Sequence, residues 1–241
     1  MATPGSLVQL KLSLVILCYR GEESIVPFVE KVHSLFSWLN IPYELVLVGN
    51  YWEGSNDRTP EIVNRLSREM PNTKSVTLPK KGAMGWDLKT GFAAASAEYV
   101  GFIDGDGQFP IDSILPPLYH SLAHGVDLAK TYRVVREDGL YRWLISKVFN
   151  GTFSLLFGTS FRDVNSKPKI LKKTSLNRMN LKSDDWFIDT EIMIEAHRLG
   201  FSIAECPIHF VENKNRASFV KFSAIWEFIK NLYTYRFQNK V

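Results

Sequence analysis

A short acidic segment at residues 104–110, DGDGQFP, carries side chains whose types and spacing suit metal and phosphate chemistry. Asp104 and Asp106 alternate directly after an apolar stretch, and Gln108 follows at the same spacing. A local bend would bring two carboxylates and an amide oxygen toward one ion, and such oxygen ligands favour Mg²⁺ or Mn²⁺. An ion of this kind neutralises a diphosphate and stabilises the charge that develops when it leaves. The segment therefore predicts a metal site formed by Asp104, Asp106 and Gln108.

Two other interpretations of the acidic segment have to be weighed. Asp and Gly are the residues that turns favour, so an isolated Asp-Gly-Asp-Gly run also fits an ordinary turn. A calcium loop of the EF-hand type is disfavoured because its ligand spacing and terminal glutamate are absent. The choice between a turn and a metal site depends on the elements that surround the segment.

The elements around the acidic segment alternate between strands and helices. Strands are predicted at 12–19, 43–48, 75–78 and 99–103, and helices from 22 onward, at 59–70 and at 86–97. The strands are continuous apolar runs, typical of strands buried on both faces of a parallel sheet. The sequence therefore predicts an α/β fold with a doubly wound, mostly parallel sheet flanked by helices. Ligands of such sheets bind beyond the carboxyl ends of the strands, where the acidic segment lies.

The second half of the chain is less regular. Strands are predicted at 127–132, 168–171 and 203–208, and helices at 141–157 and 189–199. No repeat, low-complexity tract or linker interrupts the chain, so we expect these elements to pack on the same sheet. We predict a leader at 1–10, a single catalytic domain at 11–218 and a C-terminal amphipathic helix at 219–241.

Composition narrows the class of protein. The 241 residues, 45% hydrophobic and 22% charged, suffice for the core of one α/β domain. No run approaches the roughly 18 apolar residues of a membrane span, and the first residues lack signal-peptide features, which predicts a cytoplasmic protein. The net charge of +4 is compatible with phosphate-bearing ligands, and because no long basic run is present, no nucleic-acid partner is expected. Cys18 and Cys206 are expected to be buried thiols.

The order of these motifs resembles that of glycosyltransferase family 2, whose members have the GT-A fold. The resemblance covers roughly residues 12–218 and is most specific at VILCY (15–19) and at GFAAASAEYVGFIDGDGQFP (91–110). It is closest to the polyprenyl-phosphate sugar transferases, including dolichyl-phosphate mannose synthase. It implies an inverting transfer from a nucleoside-diphosphate sugar, with metal and donor held by the matching set Asp104, Asp106 and Gln108.

The chain departs from the family where the nucleotide binds. The family's Tyr-Asn-Glu is Tyr19-Arg20-Gly21 here, and its Asp-Asp-Gly-Ser is replaced by GNYWEGS at 49–55. The acids that read the base are therefore missing, and the base is undetermined. Lys80 and Lys81 stand where the family has Asn and glycines, and either contact phosphates or are simply solvated. The residues that the resemblance assigns to donor binding are Tyr19, Asn50, Ser55, Lys81, Gly82, Asp104 and Arg216.

Three residues are candidates for an acceptor phosphate. Arg133 follows a predicted strand, and Arg142 and Ser146 lie four apart on one helical face, so all three can converge on one anion. They match the family's strand-end arginine and its Arg-x-x-x-Ser helix, which hold a lipid phosphate. Ordinary surface arginines are the alternative interpretation.

Further acids complete the predicted catalytic set. Asp163 and Ser166 match the family's Asp-x-x-Ser-Gly-Phe, although Lys167 and Pro168 replace the Gly-Phe pair. WFIDTE at 186–191 resembles the family's Phe-x-Phe-Asp-x-Glu. The catalytic residues that the resemblance implies are Asp104, Asp106, Asp163, Asp189 and Glu191. A turn at Asp163 and favourable helix-terminus charges at Asp189 and Glu191 are the alternatives.

The predicted function is transfer of a sugar from a nucleoside-diphosphate sugar to a polyprenyl phosphate. Two alternatives stay open: transfer to a saccharide hydroxyl, which would need a carboxylate base, and a degenerate protein that binds a sugar nucleotide without turnover. The basic, aromatic tail at 219–241 either contacts the cytosolic face of a membrane or docks on its own domain or a second subunit, so a homo-oligomer is compatible with it. A nicotinamide enzyme is disfavoured because no G-x-G-x-x-G follows the first strand.

Overall fold

The computed structural model describes residues 10–136, 140–210 and 222–237, and within them seven strands form one sheet in the order β3-β2-β1-β4-β6-β5-β7. The strands are β1 (Leu12–Leu17), β2 (Tyr43–Val48), β3 (Thr73–Val76), β4 (Tyr99–Asp104), β5 (Leu128–Arg136), β6 (Lys169–Lys172) and β7 (Ile203–Phe210). The α-helices are α1 (Val26–Leu39), α2 (Thr59–Glu69), α3 (Met84–Ala94), α4 (Leu115–His124), α5 (Leu140–Phe157), α6 (Lys173–Leu176), α7 (Ile188–Arg198) and α8 (Phe222–Phe237). The predicted α/β fold with a mostly parallel sheet is confirmed.

The sheet brings several strand ends to one edge. Strands β1 to β4 run parallel, and Leu17 at the end of β1 pairs with Val48 and Asp104 at the ends of its two neighbours. Strand β6 is antiparallel to both β4 and β5, with Phe102 opposite Lys169. The residues that precede β6 therefore reach the same edge as the residue that ends β4.

Apolar side chains alternate across the central strands and form a core on each face of the sheet. Leu14 and Ile16 of β1 point into the core beneath α1 and α2, whereas Val15 points into the core beneath α3 and α7. Gly91 of α3 permits close packing on the second face, because a Cβ atom there would lie 2.5 Å from Cγ1 of Val15. The sheet is thereby fixed from both sides.

Most elements lie near where the sequence predicts them, but several bounds differ and the helices α4 and α6 were not predicted. Strand β3 begins and ends two residues before the predicted 75–78, and β5 extends to Arg136. Helix α4 was not predicted, because its sequence LPPLYHSLAH begins with two prolines that resemble a helix breaker; both lie in the first turn, where proline is tolerated. The second-half strands join the same sheet, as expected.

The C-terminal segment contains the helix that the sequence predicts. The described end of α8 packs on the domain: Leu232 is fully buried in the second core, and Nε of Arg236 donates a hydrogen bond of 2.9 Å to the carbonyl oxygen of Leu156 in α5. The described end of α8 is therefore docked on its own domain, which is one of the three possibilities that the sequence left open for this segment. Within the described ranges, no helix is both long enough and apolar enough to span a bilayer.

Candidate active site

Asp104 ends β4 with its carboxylate against the side chain of Lys167. The Lys167 ammonium donates to both carboxylate oxygens, each at 2.9 Å. The antiparallel register explains the contact: Phe102 pairs with Lys169, so the positions two residues further along β4 and two residues before β6 lie opposite one another. The Asp104 side chain is 28% exposed, whereas that of Lys167 is 6% exposed. The lysine is thus inside the protein and the carboxylate is at the edge.

Lys167 belongs to a line of alternating charges that leads inward from Asp104. Its ammonium lies 3.3 Å from Oδ2 of Asp189, and Oδ1 of Asp189 accepts a bond of 2.5 Å from the fully buried Lys169. Burial opposes the charged form of both lysines. For Lys169 burial wins and lowers the pKa to about 8. For Lys167 the charges of Asp104 and Asp189 outweigh burial and raise the pKa above its usual value.

One neighbouring strand and two helices hold the loop that carries Lys167. The Thr131 hydroxyl of β5 donates to the Lys167 carbonyl oxygen at 2.6 Å and lies 2.9 Å from the Ser166 hydroxyl. On the other side, the Val164 amide donates to Asn150 of α5 at 2.9 Å. Thr190 of α7 likewise donates to the side chain of the loop residue Asn165. These contacts fix the position of the ammonium before any ligand binds.

Asp106 lies in different surroundings from Asp104. Its Oδ1 accepts the Gln108 amide at 3.1 Å, which is the hydrogen bond of an Asp turn. It lines a cleft of about 400 Å³ together with Phe28 and Lys31 of α1 and Phe109 of the acidic segment. The two carboxylates of the segment thus have separate neighbours: β6 and α7 for Asp104, and α1 for Asp106.

The arrangement does not present the three predicted metal ligands as an open set. Both oxygens of Asp104 accept hydrogen bonds from Lys167, and Oδ1 of Asp106 accepts one from the backbone. A cation at Asp104 would have to displace an ammonium that is buried and held by its loop. The residues therefore do not fit a resident Mg²⁺ or Mn²⁺ in this arrangement.

Arg133 and Asp163, predicted on the acceptor and catalytic sides respectively, contact each other. Nε and Nη2 of Arg133 donate to the two oxygens of Asp163 at 2.6 and 2.7 Å, and the Arg133 amide adds a third bond at 3.1 Å. Burial opposes ionisation of Asp163, but the hydrogen bonds and charge of Arg133 prevail and lower its pKa to about 2. Asp163 is therefore a weak base that positions the arginine.

Glu191 is fully buried and organises a loop. Its two oxygens accept the amides of Lys182 and Ser183, both at 2.9 Å. The same loop covers the start of α3, where the Ala83 amide donates to the Asp184 carbonyl at 2.7 Å. Gly82 is required there, because a Cβ atom would lie 2.6 Å from that of Asp184. Two predicted site residues, Glu191 and Gly82, thus meet through the loop.

The predicted donor residue Asn50 is buried in a polar cluster beyond the end of β2. Its amide nitrogen donates to Asp87 at 3.0 Å and Thr90 at 2.9 Å, and its oxygen accepts the Leu78 amide at 2.8 Å. The buried Lys80 pairs with Asp87 and lies 4.5 Å from the ring centroid of Tyr19. Burial raises the pKa of Asp87 despite this partner.

The other predicted donor and acceptor residues are less closely grouped. Lys81 is exposed, with its ammonium 5.6 Å from the Trp86 ring. The Ser55 hydroxyl is buried without a hydrogen-bond partner among the described residues. Ser146 of α5 accepts from Asn150 at 2.6 Å through its carbonyl and at 3.2 Å through its hydroxyl. The Arg142 side chain and the whole of Arg216 lie outside the described residues.

Three charged residues at this edge, Asp87, Lys167 and Lys169, were not among the predicted site residues, and Lys80 was considered only together with Lys81 as a phosphate contact or a solvated pair. A signal for Lys167 was present, since it stands one position after the matching Ser166, where the family has glycine. For Lys80, the adjacent lysine was predicted to bind the donor instead. Asp87 and Lys169 lie in buried elements with no motif, and the sequence offers no comparable signal for them.

A parallel sheet with an acidic strand end, whose added antiparallel strand returns to that end, defines a GT-A-type glycosyltransferase domain. The chain matches the sequence profile of Glycosyl transferase family 2 over residues 13–188, and it belongs to that family. This assignment confirms the family that the motifs of the sequence indicate.

Among curated relatives, the chain is similar to undecaprenyl-phosphate 4-deoxy-4-formamido-L-arabinose transferases. The protein from Photorhabdus laumondii is 29% identical over 154 residues, which are 64% of this chain and 46% of that protein. The protein from Pectobacterium atrosepticum is 30% identical over 152 residues, or 63% of this chain and 45% of that protein. The chain thus matches about half of the length of these relatives.

Solved structures share the fold at low sequence identity. Mannosyl-3-phosphoglycerate synthase from Rubrobacter xylanophilus has a TM-score of 0.74 at 14% identity, with 96% of this chain and 75% of that chain covered. Glucosyl-3-phosphoglycerate synthase from Mycobacterium tuberculosis, in complex with Mn²⁺, UDP-glucose and phosphoglyceric acid, has a TM-score of 0.72 at 17% identity, covering 98% and 85%. These similarities establish the GT-A fold.

Proposed function

We propose that this family 2 glycosyltransferase moves a sugar, with inversion, from a nucleoside-diphosphate sugar to a polyprenyl phosphate at a membrane surface. The proposal is supported by the similarity to undecaprenyl-phosphate sugar transferases. It is also supported by the contacts of the carboxylates around the candidate site, which favour a phosphate acceptor over a hydroxyl acceptor.

Four of the five predicted catalytic acids are fully engaged by cations or backbone amides. Asp104 and Asp189 pair with buried lysines. Asp163 is held by Arg133 and has a pKa of about 2, and Glu191 accepts two amides. A saccharide hydroxyl must lose a proton as it attacks, so it requires a carboxylate that can accept one. Their engagement is the observation that favours an acceptor needing no general base.

A polyprenyl phosphate is such an acceptor because its phosphate is already an anion near neutral pH. One phosphate oxygen forms the bond to the anomeric carbon while the bond from that carbon to the donor's diphosphate breaks. The nucleoside diphosphate leaves with the electron pair. The task of the protein is then to position two anions and offset their charges. We assign acceptor positioning to Arg133, Arg142 and Ser146, and donor binding to Tyr19, Asn50, Ser55, Lys81, Gly82, Asp104 and Arg216.

The divalent ion predicted from the sequence takes no part in the sugar transfer that we propose. Mn²⁺ or Mg²⁺ accompanies UDP in solved structures of the M. tuberculosis synthase. In the present chain both oxygens of Asp104 already accept hydrogen bonds from Lys167. The phosphates of the donor are expected to lie next to Asp104, Asp106 and Gln108.

The surface of α5 supports a lipid-borne acceptor. Leu144, Val148 and Leu155 recur on one helical face, and their exposed fractions are 55%, 54% and 86%. The neighbouring α8 adds Tyr233 and Phe237, both exposed, with ring centroids 4.5 Å apart. Ser146 lies on the opposite side of α5, toward the domain. The helix thus has an apolar face suited to a bilayer and a polar face suited to the acceptor's head group.

An acceptor competition tests the proposal. The chain is incubated with UDP-, GDP- and CDP-sugars labelled in the sugar, together with undecaprenyl phosphate, undecaprenol or a saccharide. We expect label in the lipid phosphate product and none with undecaprenol, which differs only in lacking the phosphate. Transfer to the saccharide would contradict the proposal. Nucleotide binding without transfer to any acceptor would favour the degenerate sugar-nucleotide-binding protein.

A further inference from the structure

We propose that Lys167 takes the place of a divalent cation at the donor site, so that the nucleoside diphosphate binds without metal. The proposal rests on the proposed function, because it concerns the same donor. It starts from the contact between the Lys167 ammonium and both oxygens of Asp104 at 2.9 Å.

The position of Lys167 is a property of the fold. The β4–β6 register sets Lys167 opposite Asp104, and the 163–168 loop is anchored to β5 and α7 by Thr131 and Thr190. The lysine side chain is 6% exposed, and its ammonium also lies 3.2 Å from Sδ of Met84 in the second core. The ammonium is therefore a resident charge at the edge of the sheet.

The hydrogen-bonding capacity of the ammonium is used completely. A lysine has three N–H donors, and three carboxylate oxygens lie around this one: two of Asp104 at 2.9 Å and Oδ2 of Asp189 at 3.3 Å. A divalent ion bound to Asp104 would take over oxygens that already have partners. It would also leave a buried ammonium with fewer contacts, which is unfavourable.

A count of charges leads to the same conclusion. Lys167 and Lys169 carry two positive charges, and Asp104 and Asp189 carry two negative charges, so the group is neutral as it stands. A divalent ion would add two positive charges beside two ammonium groups. Without Lys167 the group would be negative by one charge, and Asp104 would be available for a cation. The lysine thus neutralises Asp104, the carboxylate that would otherwise need a metal ion before a diphosphate could lie beside it.

The decisive measurement is the calorimetric titration of the full chain with UDP, GDP and CDP, once in EDTA and once in excess MnCl₂. We expect at least one nucleotide to bind, with dissociation constants that agree within about threefold between the two conditions. Binding that requires Mn²⁺ would overturn the proposal and leave the proposed function intact. If no nucleotide binds in either condition, the proposed function fails with it.

A substitution that restores the family's residue sharpens the test. Lys167→Gly should weaken nucleotide binding in EDTA by about tenfold or more, and Mn²⁺ should restore it, because Asp104 then has open oxygens. Lys11→Met is the matched control: Lys11 pairs with Glu98 at 2.7 Å near the opposite ends of the strands, so its loss should leave binding unchanged in both conditions. Unaltered, metal-independent binding by Lys167→Gly would contradict the proposal. If that variant does not fold, the titration of the natural chain still decides.

Discussion

Two sites at the carboxyl ends of the strands each bury a lysine against an aspartate, but the two pairs differ in how exposed the aspartate is. Beyond the end of β2, Lys80 and Asp87 are 2% and 7% exposed, and Asn50 donates a hydrogen bond to the same carboxylate. At the end of β4, Lys167 is 6% exposed, while its partner Asp104 is 28% exposed. The first pair is closed inside the protein, whereas the second presents its carboxylate at the ligand-binding edge.

The difference shows that identical ion-pair chemistry can stabilise a fold or prepare a site. A pair that is enclosed on all sides contributes to holding β2 and α3 together. A pair whose outer member reaches the edge sets the local charge that a ligand meets. Substitutions in the two pairs should therefore separate stability from function.

The largest expected effect follows removal of the carboxylate shared by the two buried lysines. Asp189→Ala leaves Lys167 and Lys169 without their common partner, and unfolding by urea should show a loss of about 3–5 kcal/mol. Asp184→Ala is the control: its pair with Lys89 is partly exposed, so about 0–1 kcal/mol is expected. Equal losses in the two variants would mean that the buried line of charges contributes nothing special.

Asp104→Asn tests the open pair. Lys167 keeps Asp189, so the free energy of unfolding should fall by only about 1 kcal/mol. Sugar transfer should fall about 10²-fold or more, as expected when a group that organises developing charge is lost. The initial rate with saturating donor, measured beside urea unfolding, checks both halves of this expectation. An active Asp104→Asn enzyme would place the reaction elsewhere.

The closed pair should respond in the opposite sense. Asp87→Ala leaves Lys80 without its carboxylate partner, next to the Tyr19 ring. The free energy of unfolding in urea should fall by about 2–3 kcal/mol, because a cation–π contact only partly replaces the lost carboxylate. The folded fraction should retain turnover close to that of the natural chain. If turnover disappears while stability is unchanged, the Lys80–Asp87 pair acts in function and not in stability, which contradicts this expectation.

Asp163, which contacts Arg133, makes a pH-dependent contribution to the free energy of unfolding. Its pKa is about 2 in the folded state against 3.8 for the free group, so the stabilisation is present above about pH 4 and is lost as the pH falls toward 2. The shift corresponds to about 2 kcal/mol. Urea unfolding at a series of pH values should show this loss in the natural chain and a flatter profile in Asp163→Asn. The same slope in both proteins would show that Asp163 does not carry it.

The smallest effect on stability is expected on the exposed face of α5. Val148→Glu should change unfolding by no more than about 0.5 kcal/mol, yet reduce cosedimentation with vesicles of anionic phospholipid. Trp38→Glu, at a more exposed site on α1, is the control and should cosediment like the natural chain. A loss in both variants, or in neither, would argue against α5 as the membrane-facing surface.

Local patterns were sufficient to predict most of the parallel half of the fold. The apolar runs of β2 and β4 begin where the structure begins them, because strands buried on both faces require continuous apolar residues. The acidic segment could be placed at the ligand edge for the same reason. Helix α4 could not be predicted from its two prolines, whose effect depends on where the first turn begins.

The partners of the site residues could not be predicted, because they arise from pairing between distant strands. Lys167 contacts Asp104 only through the antiparallel register of β6 with β4, which no local pattern encodes. Arg133 and Asp163 were predicted for different roles and meet for a similar reason, at the ends of β5 and the loop before β6. The one available signal was a lysine where the family has glycine.

A crystal structure of the chain with its tightest nucleoside diphosphate, grown in MnCl₂ and measured at the manganese absorption edge, would show whether Lys167 replaces a metal ion. We expect the Lys167 ammonium on Asp104, the diphosphate at the edge beside it and no anomalous peak between Asp104 and Asp106. A manganese peak bound by both carboxylates, with Lys167 displaced, would contradict that expectation.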